Sequence, residues 1–396
     1  MITAQSFGMH YLGFGRDPYP ELSFGTARIW DMGVTWKDIE PSPDSPLTGT
    51  GSPGLQRLDA IISTFTRHHV DPVITLGMTP AWAARGCTHV IRGTDWGAAT
   101  CAPRDTSASG PWGRYVRALA TRYRDRVHFF ELWNEPSLRN GWNDSIERLA
   151  QMQVTAHRIL RSLGFGQRLI APSIAFTDGA PKHGLKFLDR FLSQPGGSDF
   201  DIVGLHLYPG DEPAKAGDGP EWSMQVALPG ARAVLAQHGL ADRPIWNTET
   251  NVGRVPAGIT FTGTSAAAMV ARTFLLSTQH QVVRTIWYAA DDRSWGGVWL
   301  ENSDLRSLSL AGGAERTVER LIVGSQPTGC TVTQAGTRFS CAFVRPGGQK
   351  LQATWVTRGS YALTPPAGAV VYDVTGTKLP HGTVRVGAAP VYVVTR

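Results

Sequence analysis

The chain has 396 residues, of which 42% are hydrophobic and 18% are charged. This composition excludes a disordered chain and a highly charged coiled coil, and the length favours two domains or one large domain with an appendage. The net charge is +6, but the basic residues are mostly scattered arginines without a Lys/Arg run, so we expect no nucleic-acid partner. No apolar run reaches the ~18 residues of a membrane helix, so we expect no membrane span.

Eight short apolar runs, each followed by a turn-rich segment, are typical of buried β-strands. Most of the segments between them contain amphipathic helical patterns, such as GLQRLDAIISTFTRHH, WGRYVRALATRYRD, SIERLAQMQVTAHRILRSLG, GLKFLDRFLSQ, MQVALPGARAVLAQHG and TSAAAMVARTFLLSTQ. Repeated strand and helix alternation predicts a (β/α)₈ TIM barrel, because parallel strands need a helical crossover. An open doubly wound sheet is the alternative, but no glycine-rich phosphate loop follows the first strand. The strand candidates are 7–11, 26–31, 71–77, 127–134, 168–173, 201–208, 244–250 and 282–289.

The pattern changes near residue 326, after a helical segment that reads as the closing helix of the barrel. From there, short alternating strands are separated by Gly/Pro turns, as in RFSCAFV, KLQATWVT and AVVYDVTG. This pattern predicts a small all-β, sandwich-like domain of about 70 residues. We therefore predict a catalytic barrel at 1–324 and a C-terminal β-domain at 325–396.

The four cysteines fall into two local pairs, Cys87 with Cys101 and Cys330 with Cys341. Four cysteines allow three pairings, and neither local pair has the CxxC spacing of a metal or redox site. The local pairing is favoured, and two disulfides predict an oxidising compartment, either secreted or periplasmic. The first residues lack a basic region followed by an apolar stretch, so we expect no signal peptide in this chain and read Met1 as a processed or recombinant start.

Polar or aromatic residues lie at or just beyond the ends of most strand candidates. The carboxyl ends of barrel strands form one rim, where barrel enzymes build their active sites. We therefore expect these side chains to converge on a pocket of the size of a sugar, with aromatic walls and two carboxylates. The predicted set is Arg28, Trp36, Trp82, Asn134, Glu135, His206, Tyr208, Glu249 and Trp287.

Glu135 and Glu249 suggest the chemistry of this pocket. Pro136 follows Glu135, and since proline pushes the preceding residue out of the helical region, we expect Glu135 to be held extended and aimed into the barrel mouth. Two carboxylates across one pocket suit glycosidic bond cleavage, in which one attacks the anomeric carbon and the other protonates the leaving oxygen.

The blocks ARIWDMGVTWKDIEP, ITLGMTPAW, ELWNEP, GLHLYP and PIWNTETN, with a terminal β unit ending in PVYVVT, occur in this order along essentially the whole chain. Together they resemble clan A glycoside hydrolases, and most of all family 39. The resemblance implies a retaining enzyme that needs no metal or other cofactor. It makes Glu135 the general acid/base and Glu249 the nucleophile.

The resemblance also implies roles for the neighbouring residues. Asn134 would hydrogen-bond the 2-hydroxyl of the sugar, and Arg28 would keep Glu249 ionised. Tyr208 or His206 would orient Glu249, and Trp287 would form the hydrophobic floor under the sugar ring.

Several of these residues have a structural interpretation as well. Arg28 could be the buried partner of Glu131, and His206 could be a satisfied core histidine. Core packing is equally open for Trp36 and Trp82. Weaker candidates for the pocket are His10, Asp291 and Asp292.

The sequence therefore predicts a retaining glycosidase whose partner is a carbohydrate, acting on a polysaccharide or an oligosaccharide. Cleavage inside a bacterial exopolysaccharide is the first interpretation, and the basic charge balance would suit an acidic glycan. An exo-acting β-xylosidase or related family 39 glycosidase is the alternative. A non-catalytic carbohydrate-binding barrel is the alternative from another class. The oligomeric state stays open.

Overall fold

A computed structural model gives the structure of the protein. It describes residues 1–13, 19–86, 97–176, 181–209, 219–334 and 336–396. Within these ranges, no helix is long and apolar enough to cross a membrane.

The first sheet is a parallel barrel with strand order β5-β4-β3-β2-β1-β9-β8-β7-β6. The two end strands, β5 and β6, are separated only by residues 171–173. Because β5 pairs with β4 and β6 pairs with β7, the two short strands together occupy one strand position of the barrel. A parallel bridge from Ile170 to Ile202 closes the gap. The predicted TIM barrel is thereby confirmed. The strands are β1 Phe7–Met9, β2 Thr26–Ile29, β3 Asp71–Leu76, β4 Phe129–Leu132, β5 Arg168–Ile170, β6 Ile174–Phe176, β7 Val203–Leu207, β8 Ile245–Thr250 and β9 Val282–Trp287.

The helices around the barrel begin and end where local chemistry favours it. Helix α2, for example, has Ser52 as its N-cap, whose hydroxyl accepts from the Leu55 backbone N–H, and Pro53 as its first residue. A π-helical segment, Ser223–Ala227, joins α6 to α7. The helices are α1 Trp36–Ile39, α2 Pro53–Arg67, α3 Pro111–Arg122, α4 Ile146–Leu163, α5 Pro181–Leu192, α6 Pro220–Trp222, α7 Leu228–Gln237, α8 Gly263–Gln279 and α9 Leu310–Ile322.

The C-terminal segment forms antiparallel sheets, as predicted. One sheet has the order β10-β11-β12-β16-β14, and the other pairs β13 with β15. The predicted boundary at 324/325 falls between α9 and β10, and the division into two domains stays a prediction. The strands are β10 Gln326–Thr333, β11 Arg338–Val344, β12 Lys350–Val356, β13 Tyr361–Leu363, β14 Val370–Tyr372, β15 Val384–Val386 and β16 Val391–Thr395.

The predicted Cys330–Cys341 disulfide is present, and it links the paired strands β10 and β11. The other predicted pair includes Cys87, which lies outside the described residues. Most of the segment between Cys87 and Cys101 also lies outside the described residues.

The C-terminal sheet packs against the barrel through buried polar contacts as well as apolar ones. The Trp355 indole N–H in β12 donates to Glu221 Oε1 at 2.8 Å, and the Arg272 guanidinium in α8 donates to both oxygens of the same carboxylate. The Gln279 side chain at the end of α8 bonds to the backbones of Ala342 and Gly329. Glu221 is thus a buried charge that both parts of the structure stabilise.

Candidate active site

Glu135 enters the barrel mouth on a turn rather than on an extended strand. Strand β4 ends at Leu132, and both Trp133 and Glu135 have positive φ, +60° and +46°. The prediction that Pro136 holds Glu135 extended is therefore wrong. Proline disfavours the right-handed helical region for the preceding residue, and the left-handed region is what this turn uses.

Gly141 makes room for the turn at Glu135. A Cβ at Gly141 would lie 2.0 Å from the backbone oxygen of Glu135. That oxygen accepts from the Leu138 N–H, and the Trp133 indole N–H donates to the Gly141 oxygen at 2.8 Å. The loop after β4 therefore overdetermines a backbone conformation that costs of the order of 1–3 kcal/mol.

Arg28, in β2, is the centre of the polar network inside the barrel. Its Nε donates to Glu131 Oε2 at 2.7 Å, its Nη1 to Glu249 Oε2 at 2.6 Å and its Nη2 to Asn134 Oδ1 at 2.7 Å. The Arg28 side chain has no exposed surface. Burial alone would lower the pKa of Arg28, but the Glu131 and Glu249 carboxylates raise it above its ordinary value. Arg28 is therefore the partner of both Glu131 and Glu249, and both interpretations of it are correct.

Glu249, in β8, has hydrogen-bond donors on both carboxylate oxygens. Tyr208 donates to Oε1 at 2.7 Å, and Arg28 donates to Oε2. Burial raises the pKa of Glu249 above its ordinary value, while His206, Arg28 and the Tyr208 hydroxyl each act to lower it. The two donors hold the carboxylate in one orientation, with 8% of the side chain exposed.

Glu135 has a less polar environment than Glu249. Its Oε1 lies 2.9 Å from His206 Nδ1, and 13% of its side chain is exposed. Burial raises the pKa of Glu135 to about 7, although Arg28 opposes the rise. Burial also lowers the pKa of His206 to about 4, so His206 is neutral near pH 7. His206 Nδ1 is 3.7 Å from Glu249 Oε1, which leaves Tyr208 as the residue that orients Glu249.

The two glutamates lie close together across the mouth. One carboxylate oxygen of each and a ring nitrogen of His206 all lie within 4.8 Å of one another. Three such atoms are a possible ligand set for a metal ion. However, Arg28 already neutralises Glu249 at 2.6 Å, so a divalent cation would meet a fixed positive charge.

Two of the three predicted tryptophans lie in the core instead of the pocket. Trp287 has no exposed surface and packs near Phe274, so the prediction that it forms the floor under a sugar is wrong. Trp36 is also fully buried and stacks on Tyr115, which contradicts its predicted contact with substrate. Trp82 is half-buried beside Trp36, and its contact with substrate stays a prediction.

Tyr288 is the aromatic residue that reaches the site in place of its neighbour Trp287. It is half-buried, and its hydroxyl donates to Asp31 Oδ2 at 2.6 Å. His10 Nε2 lies 2.6 Å from the other oxygen of Asp31. Neither Tyr288 nor Asp31 was predicted from the sequence, and His10 was only a weaker candidate. The available signal was their position, because each follows the carboxyl end of one of the adjacent strands β9, β2 and β1.

Glu135 follows β4 and Glu249 lies within β8, and the two carboxylates lie close together at one rim of the parallel barrel. This is the architecture of a clan A glycoside hydrolase. Residues 111–309 match the family model described as glycosyl hydrolase catalytic core. The match covers half of the chain and includes Glu135 and Glu249. The protein belongs to this family.

Individual relatives agree with this assignment. A β-xylosidase from Caldicellulosiruptor saccharolyticus is 25% identical over 205 residues, which cover 49% of this chain and 40% of that protein. The chain thus matches less than half the length of this curated relative.

The solved structures show the same fold at low sequence identity. A family 39 glycoside hydrolase from Bacteroides cellulosilyticus WH2 superposes with a TM-score of 0.73 at 17% identity, covering 100% of this chain and 82% of that one. A family 39 β-xylosidase from Caulobacter crescentus gives a TM-score of 0.63 at 14% identity, covering 100% and 96%. Together with the family match, these likenesses confirm the resemblance predicted from the sequence.

Proposed function

We propose that the protein is a retaining glycoside hydrolase with Glu249 as nucleophile and Glu135 as general acid/base. The observation that carries this proposal is the short separation of the two carboxylates, with one oxygen of each within 4.8 Å of the other. Retaining enzymes have carboxyl groups about 5–5.5 Å apart, whereas inverting enzymes leave about 6.5–9.5 Å for a water molecule.

The different surroundings of the two glutamates support the assignment of their roles. Donors from Arg28 and Tyr208 on both oxygens favour the charged form of Glu249, as a nucleophile requires. Among the described residues, Glu135 has no such pair of donors; its Oε1 lies beside His206 Nδ1, and burial raises its pKa to about 7. A carboxyl group with this pKa is still substantially protonated at neutral pH and can act as the acid.

The reaction then proceeds in two steps. In the first, Glu249 attacks the anomeric carbon, the glycosidic bond breaks, and the Glu135 proton moves to the leaving oxygen. In the second, a water molecule gives its proton to Glu135 and displaces Glu249 from the anomeric carbon. The Oδ1 atom of Asn134 is occupied by Arg28, so its amide NH₂ is the group that would donate to the sugar 2-hydroxyl.

The first candidate substrate is an internal linkage of a bacterial exopolysaccharide. Trp295 supports action on a chain, because it is 45% exposed in the loop that follows β9 at the active-site rim. Its loop is fixed by the Asp292 carboxylate, which accepts from the Trp295 N–H, and by the Trp295 carbonyl, which accepts from the Val255 N–H. An exposed indole on a loop whose backbone is held in this way suits stacking on a further sugar ring.

The second candidate is an exo-acting β-xylosidase. The curated relative is a β-xylosidase, and the small exposed fractions of Glu135 and Glu249 fit a narrow pocket for one terminal sugar. Secretion to the periplasm or the exterior goes with either candidate, and the Cys330–Cys341 disulfide supports it.

Two measurements test the mechanism and the substrate. Mass spectrometry of products from acidic and neutral glycans separates endo from exo action, since an exo enzyme releases monosaccharide from the start. For the mechanism, azide added to Glu249→Gly should yield a glycosyl azide of inverted configuration, because azide enters the face that the nucleophile vacated. Azide added to Glu135→Ala should yield the retained product. A surface variant, Glu147→Ala, serves as control, and hydrolysis at the wild-type rate by Glu249→Gly would refute the mechanism.

A further inference from the structure

Asp31 lies at the barrel mouth just beyond β2, and its carboxylate is held from two sides. Tyr288 donates to Oδ2 at 2.6 Å, and His10 Nε2 lies 2.6 Å from Oδ1. The His10 ring also packs against the Tyr288 ring, with centroids 4.7 Å apart. His10 is fully buried, whereas 30% of the Asp31 side chain is exposed. The carboxylate is therefore fixed and still open to a ligand.

The position of Asp31 relative to Glu249 follows from the strand order. Asp31, His10 and Tyr288 follow β2, β1 and β9, and β9 is the direct neighbour of β8, which carries Glu249. Burial raises the pKa of Tyr288 most, and the charges of Asp31 and Glu249 raise it further. Tyr288 thus lies within electrostatic reach of both carboxylates. In the proposed mechanism, the side of the pocket that carries the nucleophile is where the glycone ring binds.

Among the described residues, His10 and Tyr288 are the side chains in contact with the Asp31 carboxylate, and the backbone N–H of Asp31 also bonds to it. Each carboxylate oxygen has two lone-pair positions, so these contacts leave room for a further donor. Burial raises the pKa of Asp31, but the His10 and Tyr288 contacts outweigh this effect and hold the pKa below its ordinary value. At neutral pH the group is a charged acceptor without a proton to donate.

We propose that Asp31 recognises hydroxyl groups of the glycone and selects an uncharged sugar at that position. A ring hydroxyl can donate to the exposed part of the Asp31 carboxylate, whereas a sugar carboxylate would face Asp31 as a like charge without a donor between them. This inference rests on the proposed glycosidase function. It also counters the expectation of an acidic glycan at the cleaved residue, because the net charge of the chain does not describe this part of the rim.

The test pairs variants with substrates that lack single hydroxyls. The substrate is the neutral aryl glycoside that the wild type cleaves best, together with its monodeoxy analogues. We expect Asp31→Asn to lower kcat/KM on the parent glycoside about 10- to 100-fold, since a hydrogen bond to a charged group is weakened. On the analogue that lacks the recognised hydroxyl, Asp31→Asn and wild type should agree within about threefold. Asp304→Asn, an exposed turn residue, is the matched control.

A second variant and a charged substrate complete the experiment. Tyr288→Phe keeps the Asp31 carboxylate but removes the hydrogen bond from the Tyr288 hydroxyl, so we expect a smaller loss that disappears with the same deoxy analogue. This variant carries the test alone if Asp31→Asn does not fold. An equal loss on every analogue, or a wild-type preference for the aryl uronide over its neutral counterpart, would overturn the inference and leave the glycosidase proposal intact. A wild type that cleaves no glycoside would overturn both.

Discussion

The guanidinium of Arg28 lies 2.6 Å from the carboxylate of Glu249, and the same guanidinium bonds to Glu131 on its other edge. Replacing Arg28 by Met would leave two buried carboxylates without their shared cation. We expect Arg28→Met to lower the free energy of unfolding by about 3–5 kcal/mol and to abolish activity. Arg28→Lys should lose less, because it keeps the charge but not the forked geometry. Urea unfolding and initial rates would check this, and a fully stable Arg28→Met variant would contradict it.

Tyr208 has one described task, which is to donate to Glu249 Oε1 at 2.7 Å. Tyr208→Phe removes a hydrogen bond to a charged group, for which about 1.5–3 kcal/mol is typical, so we expect kcat/KM to fall about 10- to 150-fold. Because this bond lowers the pKa of Glu249, the acidic limb of the pH profile should move to higher pH. A loss of activity with an unchanged acidic limb would argue against this role of Tyr208.

The raised pKa of Glu135 predicts a basic limb in the pH profile of kcat/KM. The acid must be protonated to act, and its pKa is about 7, so kcat/KM should fall as the pH rises through about 7. The limb should disappear in Glu135→Gln, whose residual rate we expect to be about 10²- to 10⁴-fold lower on substrates with poor leaving groups. An aryl glycoside whose leaving group needs no proton should lose far less. A basic limb that persists in Glu135→Gln would assign that pKa to another group.

The raised pKa of Glu315, in α9, predicts that the free energy of unfolding depends on pH for a reason unrelated to catalysis. Its side chain is fully buried, and neither oxygen has a hydrogen-bond partner among the described residues. Burial, followed by the Glu319 charge, raises the pKa of Glu315 well above the ordinary value. The folded protein thus binds this proton more tightly than the unfolded chain. The resulting stability is present below the unfolded pKa of about 4.3 and is lost as the pH rises towards the folded pKa.

Glu315→Gln cannot titrate, so the fall in stability between pH 5 and pH 8 should be smaller in the variant than in the wild type. Urea unfolding at several pH values would measure it. Glu147→Gln is the control, because the pKa of Glu147 is lowered and its stabilising effect is lost only in acid. Parallel curves for wild type and Glu315→Gln would contradict the prediction.

The hydrogen bond from the Trp355 indole to Glu221 is expected to strengthen the contact between the C-terminal sheet and the barrel. Trp355→Phe leaves Glu221 Oε1 without one of its two donors, and we expect a loss of about 1–3 kcal/mol in the free energy of unfolding. Tyr392→Phe on the same sheet is the control, because the buried Tyr392 hydroxyl has no hydrogen-bond partner in the part of the chain that the structure describes. An equal effect of the two variants would show that the loss comes from packing alone.

The barrel and the position of the two glutamates could be predicted from the sequence. The backbone conformation at the rim, and which of two successive side chains faces the pocket, could not. Strand and helix periodicity defines the order of elements, and the carboxyl ends of parallel strands must share one rim. Glu135 shows the limit, since Pro136 excludes one backbone region without choosing between the others. Trp287 and Tyr288 show another, since successive residues of a strand point to opposite sides, and an error of one position exchanges core and pocket. Asp31 follows the end of β2, but its role depends on contacts with His10 and Tyr288, which follow two other strands.

The Trp355 contact bears on how such proteins can be recombined. Glu221 lies in α6, and Ser223, which directly follows that helix, donates to the backbone oxygen of Leu207, next to Tyr208. An exchange of the C-terminal sheet between homologues would therefore need to carry an indole donor at this point. In a chimaera without this donor, we expect the barrel to be disturbed near the end of β7, which Tyr208 directly follows.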